Sequence, residues 1–154
     1  MAFCSSLDIS GSALTDERFR TDIILQNIAN AKTTQTSSGE PYRRQQVIFE
    51  EIPLSFGEEL EKAKSGSSKA SSSSEVAGKG GVRLTQVVES DRDFVPVYDP
   101  THPQANEEGY VMYPNVDTTE EMIDLMAASN AYEANLTALQ VTKAMINKTL
   151  ELGR

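Results

Sequence analysis

Apolar positions recur every three or four residues at both ends of this chain, and between those ends the period shortens towards two. The C-terminal end is the clearer case. At 100° per residue, Met122, Leu125, Ala128, Tyr132, Leu136, Leu139, Ile146 and Leu150 fall on one side of a helix. Ile123, Ala127, Ala131, Ala134, Ala138, Val141 and Met145 form a second row about 140° away, and its alanines let another backbone approach closely. Asp117-Thr118-Thr119-Glu120 sets a capping carboxylate three residues before a glutamate, while Glu121 and Asp124 put negative charge at the positive end of the helix dipole. No proline follows and Gly153 lies past the last apolar position. The pattern therefore predicts one helix from Thr118 to about Leu152, roughly 50 Å long at 1.5 Å per residue. A helix buried by its own domain normally shows a single apolar stripe; two stripes predict a subunit that covers the second against neighbours.

The N-terminal pattern is less regular. Leu7, Leu14, Ile24, Leu25, Ile28 and Ala31 share one broad face, with Phe19 and Ile23 as an i,i+4 pair off it. Ser10, Gly11 and Ser12 weaken the first turns, so this end is expected to be poorly ordered before assembly. Asn30 is suited to a left-handed helix end, and Thr33-Thr34 favours extended backbone beyond it. Candidate strands follow at 42–49, 82–88, 94–98 and 110–113, enough for one small antiparallel β subdomain. Between them, 62–81 carries two serine-rich runs with almost nothing to bury and reads as a flexible loop, preceded by a candidate short helix at 56–62. The division is then 1–34 as an N-terminal helix, 35–116 as the β region with its loop, and 117–154 as a C-terminal helix.

Composition narrows the function classes. A chain of 154 residues with 38% hydrophobic residues and no tryptophan has room for one small domain plus extended helices. A net charge of −9 disfavours nucleic acid, because phosphate binding depends on a basic face. No run approaches the roughly 18 apolar residues of a membrane span, and 1–6 lacks the basic and apolar regions of a cleaved signal. The lone cysteine, Cys4, excludes an internal disulfide.

No catalytic constellation stands out. His102, the only histidine, lies in Asp99-Pro100-Thr101-His102-Pro103, where the prolines fix a turn and no partner nucleophile is placed. Gly78-Lys79-Gly80-Gly81 lacks the earlier glycine and the following Ser or Thr of a phosphate loop. Asp91-Arg92-Asp93 starts like a calcium loop, but Phe94 and Val95 fill the places of a ligand and a glycine. Asn135-Leu136-Thr137 and Asn147-Lys148-Thr149 are formal glycosylation triplets inside a predicted helix. Asn27, Asn30 and Asn115 are expected to bond to backbone at helix ends and turns.

Two blocks carry a resemblance. The first runs from Ser6-Leu7-Asp8-Ile9-Ser10-Gly11 to Asn27-Ile28-Ala29-Asn30-Ala31 and Thr33-Thr34; the second contains Tyr98-Asp99-Pro100, Gly109-Tyr110-Val111, Pro114-Asn115-Val116-Asp117, Glu121-Met122 and Ala131-Tyr132-Glu133-Ala134-Asn135. With Pro41-Tyr42-Arg43-Arg44, they cover most of the chain outside the serine-rich loop. The chain resembles the flagellar axial rod and hook proteins, and within them the short subunits of the proximal rod. Gln26 and Asn130 depart from the residues common there.

The resemblance implies an α+β fold in which the terminal helices form an antiparallel coiled-coil-like pair and the β region makes outer contacts. It implies a structural, non-enzymatic subunit that transmits torque and lines the export channel, reaching the periplasmic rod through the flagellar type III apparatus. Its partners would be copies of itself, other rod proteins and, during secretion, that apparatus. No cofactor, metal, nucleic acid, membrane insertion or small-molecule substrate is implied. Applied to the two stripes, this gives an intrachain seam of Leu14, Leu25 and Ile28 with Leu125, Tyr132, Leu136, Leu139 and Ile146. Phe19, Ile23, Ala127, Ala131, Ala134, Ala138 and Val141 form the intersubunit seam. The competing readings are another short rod protein and a cytoplasmic adaptor or chaperone of a type III system, which is also small, acidic and helical.

Overall fold

Among the described residues, two long helices bracket four short strands in an α+β chain. The order is α1 (Ala2–Ala29), β1 (Gln45–Ile52), β2 (Gly81–Glu89), β3 (Val95–Tyr98), β4 (Tyr110–Tyr113) and α2 (Thr118–Leu152). This computed structural model describes residues 2–52 and 80–152, with side chains from residue 6 onward. The candidate helix at 56–62, the serine-rich loop up to residue 79 and the Cys4 thiol lie outside the described residues and side chains.

The helix boundaries follow local chemistry. Asp117 Oδ1 accepts from the Thr119 N–H at 2.8 Å, the N-cap bond that the sequence places there, and α2 then runs unbroken to Leu152. α1 passes through Ser10-Gly11-Ser12 without a break. Ser12 Oγ donates to Ile9 O at 2.8 Å and accepts from Val82 N–H at 3.2 Å, so its hydroxyl spends its bonding on the helix and on the start of β2. The expected left-handed Asn30 is not found: the described residues with positive φ are all glycines. α1 instead tightens, with Ala31 N–H on Ile28 O and Thr33 N–H on Asn30 O, while Asn30 Nδ2 satisfies Gln26 O at 2.9 Å.

Among the described residues the strands do not form a single sheet. β1 pairs with β2, and β3 pairs with β4, as two separate two-stranded sheets. The reason lies between β2 and β3, where Asn115 Nδ2 donates to Ser90 O and to Arg92 O. Those carbonyls are used by a side chain rather than by a continuing ladder. β3 and β4 are antiparallel in the register Val95↔Tyr113, Pro96↔Met112, Val97↔Val111 and Tyr98↔Tyr110. Opposite residues share a face, so Val95, Val97, Val111 and Tyr113 lie on one side, where Val111 is fully buried, and Pro96, Tyr98, Tyr110 and Met112 lie on the other.

The chain forms two compact units, each discontinuous in sequence: 1–16, 49–84 and 132–154 in the first, and 17–48 and 85–131 in the second. The second holds the buried apolar side chains Ile23, Ile24, Val111 and Ala128. Its hairpin depends on Gly109, whose φ is +81° and whose added Cβ would sit 2.9 Å from Tyr98 Cε2. Gly109→Ala is expected to cost about 1–2 kcal/mol through the left-handed backbone alone, with the ring displacement added. Urea unfolding of the purified variant checks this; an unchanged midpoint would refute it.

Candidate functional site

The most constrained chemistry in the chain is a polar junction where the end of α1, residues 42–45, residues 90–92 and the start of α2 meet. Every one of its residues belongs to the second compact unit. Arg44, only 4% exposed, is its centre. Its Nε donates to Glu121 Oε1, Nη2 to Asp124 Oδ2 at 2.9 Å and Nη1 to Glu120 Oε1 at 3.3 Å. The same residue's backbone N–H donates to Asn115 Oδ1 at 2.8 Å, and its carbonyl accepts from Ser90 N–H at 2.8 Å.

Glu121 is fully buried, and a buried carboxylate requires paired bonds on both oxygens. Arg44 serves one and Asn27 Nδ2 the other, at 3.0 Å. Asn27 in turn uses its whole carboxamide. Its Nδ2 also donates to Gln45 O at 2.8 Å, and its Oδ1 accepts from Gln45 N–H at 3.0 Å and from Tyr42 OH at 2.9 Å. Burial first, and then the nearby charges of Glu121 and Glu89, raise the Tyr42 phenol above its ordinary range, so it stays a donor.

The outer layer is exposed. Arg92 Nη1 donates to Glu120 Oε2 at 2.8 Å, a bond that depresses the Glu120 carboxyl below its ordinary 4.5, helped by the charges of Arg44 and Arg92. Asp117 is likewise held below 3.8, chiefly by the Thr119 N–H. A carboxyl depressed by folding stabilises the native state above its unfolded pKa, and that stabilisation disappears as pH falls through the folded pKa. Burial raises Asp16 and gives the opposite sign at that one position. The urea midpoint is expected to hold down to the ordinary carboxylate range and then decline towards pH 3, with Glu120→Gln flattening the decline. A profile insensitive to that substitution would contradict the assignment.

The structure brings together part of the motif set. Asn27, Asn30, Thr33, Asn115 and Asp117 are hydrogen-bonded in or beside the junction, Thr33 through its hydroxyl to Asn30 Oδ1 at 3.2 Å, and Pro114 is buried next to them. Ile28 is half-buried and Ala29 exposed. Tyr132, Glu133 and Ala134 lie elsewhere, exposed along α2, with Asn135 half-buried. Asp99 and His102 hold their own turn: Asp99 Oδ1 accepts from the Thr101 N–H and hydroxyl, and His102 Nδ1 accepts from the Gln104 N–H.

Sequence reasoning missed Arg44, Arg92 and the pairing role of Glu120, Glu121 and Asp124, which were expected to act on the helix dipole. One signal was available. Three carboxylates at positions i, i+1 and i+4 crowd one side of a helix start, and a Tyr-Arg-Arg run stands in an otherwise acidic chain.

On the candidate seams, Leu14, Ile28, Leu125, Leu139 and Ile146 are half-buried, whereas Leu25, Tyr132 and Leu136 are exposed. Of the second set, Phe19, Ala127, Ala134, Ala138 and Val141 are exposed, Ala131 is half-buried and Ile23 is buried. Among the described residues, no helix is long and apolar enough to cross a membrane.

Comparison with known proteins places these features in a family. Residues 107–152 match the family described as flagellar basal body rod FlgEFG protein C-terminal. The chain is 44% identical over 153 residues to the flagellar basal-body rod protein FlgC of Bacillus subtilis, with 97% of each chain covered. It is 37% identical to the protein of that name in Escherichia coli O157:H7 over the full length of both. Against that of Borreliella burgdorferi it is 34% identical, with 99% of this chain and 98% of the relative covered. Similarity of this extent takes in the buried junction, both helices and the hairpin alike, and the chain belongs to the FlgC family of flagellar basal-body rod proteins.

Proposed function

We propose that this chain polymerises through its terminal helices into the proximal rod, where it transmits torque and forms part of the export-channel wall. The observation that carries the reading is the exposed row on α2. Ala127, Ala131, Ala134, Ala138, Val141 and Met145 alternate by fours and threes, the spacing of a coiled-coil seam, and all but half-buried Ala131 are exposed in the single chain. The junction at Arg44 supports it from the other side, because a subunit under torque needs its two helices held at a fixed angle. In functional terms 1–34 and 117–154 are then the axial helices, and 35–116 is the spacer between them.

Export through the flagellar type III route, without a cleaved signal, belongs to the same reading, as does assembly with copies and with other rod proteins. An adaptor or chaperone would remain in the cytoplasm. Immunodetection of an epitope-tagged chain in purified basal bodies, with its mature N-terminus sequenced, separates the two. A tagged, functional chain absent from basal bodies and retained in the cytoplasm would overturn the rod reading.

A further inference from the structure

β2 is sheltered only where it begins. Gly81, Val82 and Leu84 are half-buried, while every residue from Thr85 to Glu89 is exposed. One edge of the strand belongs to β1, where Arg83 Nη2 donates to Glu50 Oε2 at 3.1 Å. Val82 and Leu84, two residues apart in the strand, give their N–H groups to α1 instead. Ser12 Oγ accepts from the Val82 N–H at 3.2 Å, and the Asp16 carboxylate accepts from the Leu84 N–H. All four residues lie in the first compact unit.

The two periods match. Positions two apart in a strand are separated by about 6.6 Å, and positions four apart in an α-helix by about 6 Å, so one helix face presents acceptors at the spacing of one strand edge. Gly81 permits the approach: its φ is +137°, and an added Cβ would sit 2.6 Å from Ser12 Oγ and 3.8 Å from the Ile9 Cα. The other Asp16 oxygen, Oδ2, is buried with no hydrogen-bond partner among the described residues. This carboxylate therefore keeps its bond to Leu84 against the cost of its own desolvation.

We infer that Ser12 and Asp16 stand in for a third strand, and that they close the open edge of β2 only while the first half of α1 is helical. In an extended chain positions 12 and 16 would lie about 13 Å apart, twice the Val82–Leu84 spacing, so the two side chains reach both donors only from a helix. Ser10, Gly11 and Ser12 make this the part of α1 that loses its helix most easily. An open edge accepts a further strand, so the order of α1 decides whether the β1–β2 sheet can be extended.

The test follows amide hydrogen exchange of the full-length chain, free and in purified basal bodies, with fragmentation fine enough to separate Val82 from Leu84. In each state both amides are expected to show protection within about fivefold of the α1 amides of residues 13–16; a larger mismatch, in either direction, overturns the coupling. Variants are read in the state where α1 is protected. Gly11→Ala, which has open space for its methyl group and stabilises the helix without touching β2, is expected to slow both amides together about threefold. Ser12→Ala is expected to speed Val82 about tenfold, and Asp16→Leu to do the same at Leu84, whereas Asp16→Asn keeps an acceptor and holds Leu84 near the wild-type rate. The hairpin amides of 95–98 and 110–113 stay unchanged throughout, which separates an opened edge from a lost fold. Variants that leave Val82 and Leu84 unmoved, or that speed the hairpin equally, overturn the inference.

Discussion

Arg44→Met is expected to cost about 3–5 kcal/mol of folding free energy, because it leaves a buried carboxylate without its counter-charge. Glu121 is fully buried and its remaining partner, the Asn27 amide, carries no charge. The same substitution leaves Asp124 close to Glu121 without the guanidinium they share, while Glu120 keeps its bond to Arg92, so repulsion between Glu121 and Asp124 adds to desolvation. Against a typical total of about 5–15 kcal/mol for a domain, the loss is a large fraction of what holds the second unit together. Urea unfolding followed by circular dichroism measures it. A surface pair gives the scale for comparison: Lys148 and Glu151 are 2.8 Å apart but largely exposed, and Lys148→Gln is expected to change stability by no more than about 0.5 kcal/mol.

The double variant Arg44→Met with Glu121→Leu carries the more demanding expectation. Removing both charges takes away the pair and the penalty of stranding one of them, so more than half of the single-variant loss is expected to return. Stability regained without motility would mean that the ion pair serves to set geometry rather than to add free energy. A single Arg44→Met variant within about 1 kcal/mol of the wild type would mean that Glu121 finds another partner and that the junction is not the fixed point described above.

How much of this was legible in the sequence depends on how far apart the cooperating residues lie. α2 was readable to its ends, since its cap, its lack of breakers and its late glycine all act within a few residues. The strand positions were readable to within three residues for the same reason. Arg44 and Glu121 are 77 positions apart, and nothing local tells a carboxylate at a helix start whether it will serve the dipole or a distant guanidinium. Both roles suit the same residue at the same place. The split into two sheets was hidden in a similar way, because it depends on Asn115 reaching back 25 and 23 residues to the carbonyls that a continuous ladder would have used. The two apolar rows of α2 were visible as rows. Residue size did not reveal which positions the chain itself covers, for the buried residues of that helix are Glu121 and Ala128, while Tyr132 and Leu136 stay exposed.

Ala134→Leu is expected to abolish incorporation into the rod while leaving the free chain folded and exported. In the single chain Ala134 is exposed in mid-helix, and alanine and leucine are both good helix formers, so the substitution should shift monomer stability by no more than about 0.5 kcal/mol. In the polymer the same position lies in the alanine row assigned to the intersubunit seam. Helices packed through alanine approach near the short end of the usual range of about 8–10 Å, and a leucine side chain does not fit without forcing them apart. Overpacking of that kind costs about 1–3 kcal/mol at each site, and in a rod it recurs at every contact between copies. A stability change too small to detect in the monomer thus becomes decisive for assembly. Ala134→Ser, which keeps the volume small, is expected to assemble. The measurement is the amount of chain in purified basal bodies, set against export scored by cell fractionation and against swimming on soft agar. Normal rods and normal motility in the Ala134→Leu strain would place this row at the rod surface and would require another face of α2 to carry the subunit contact.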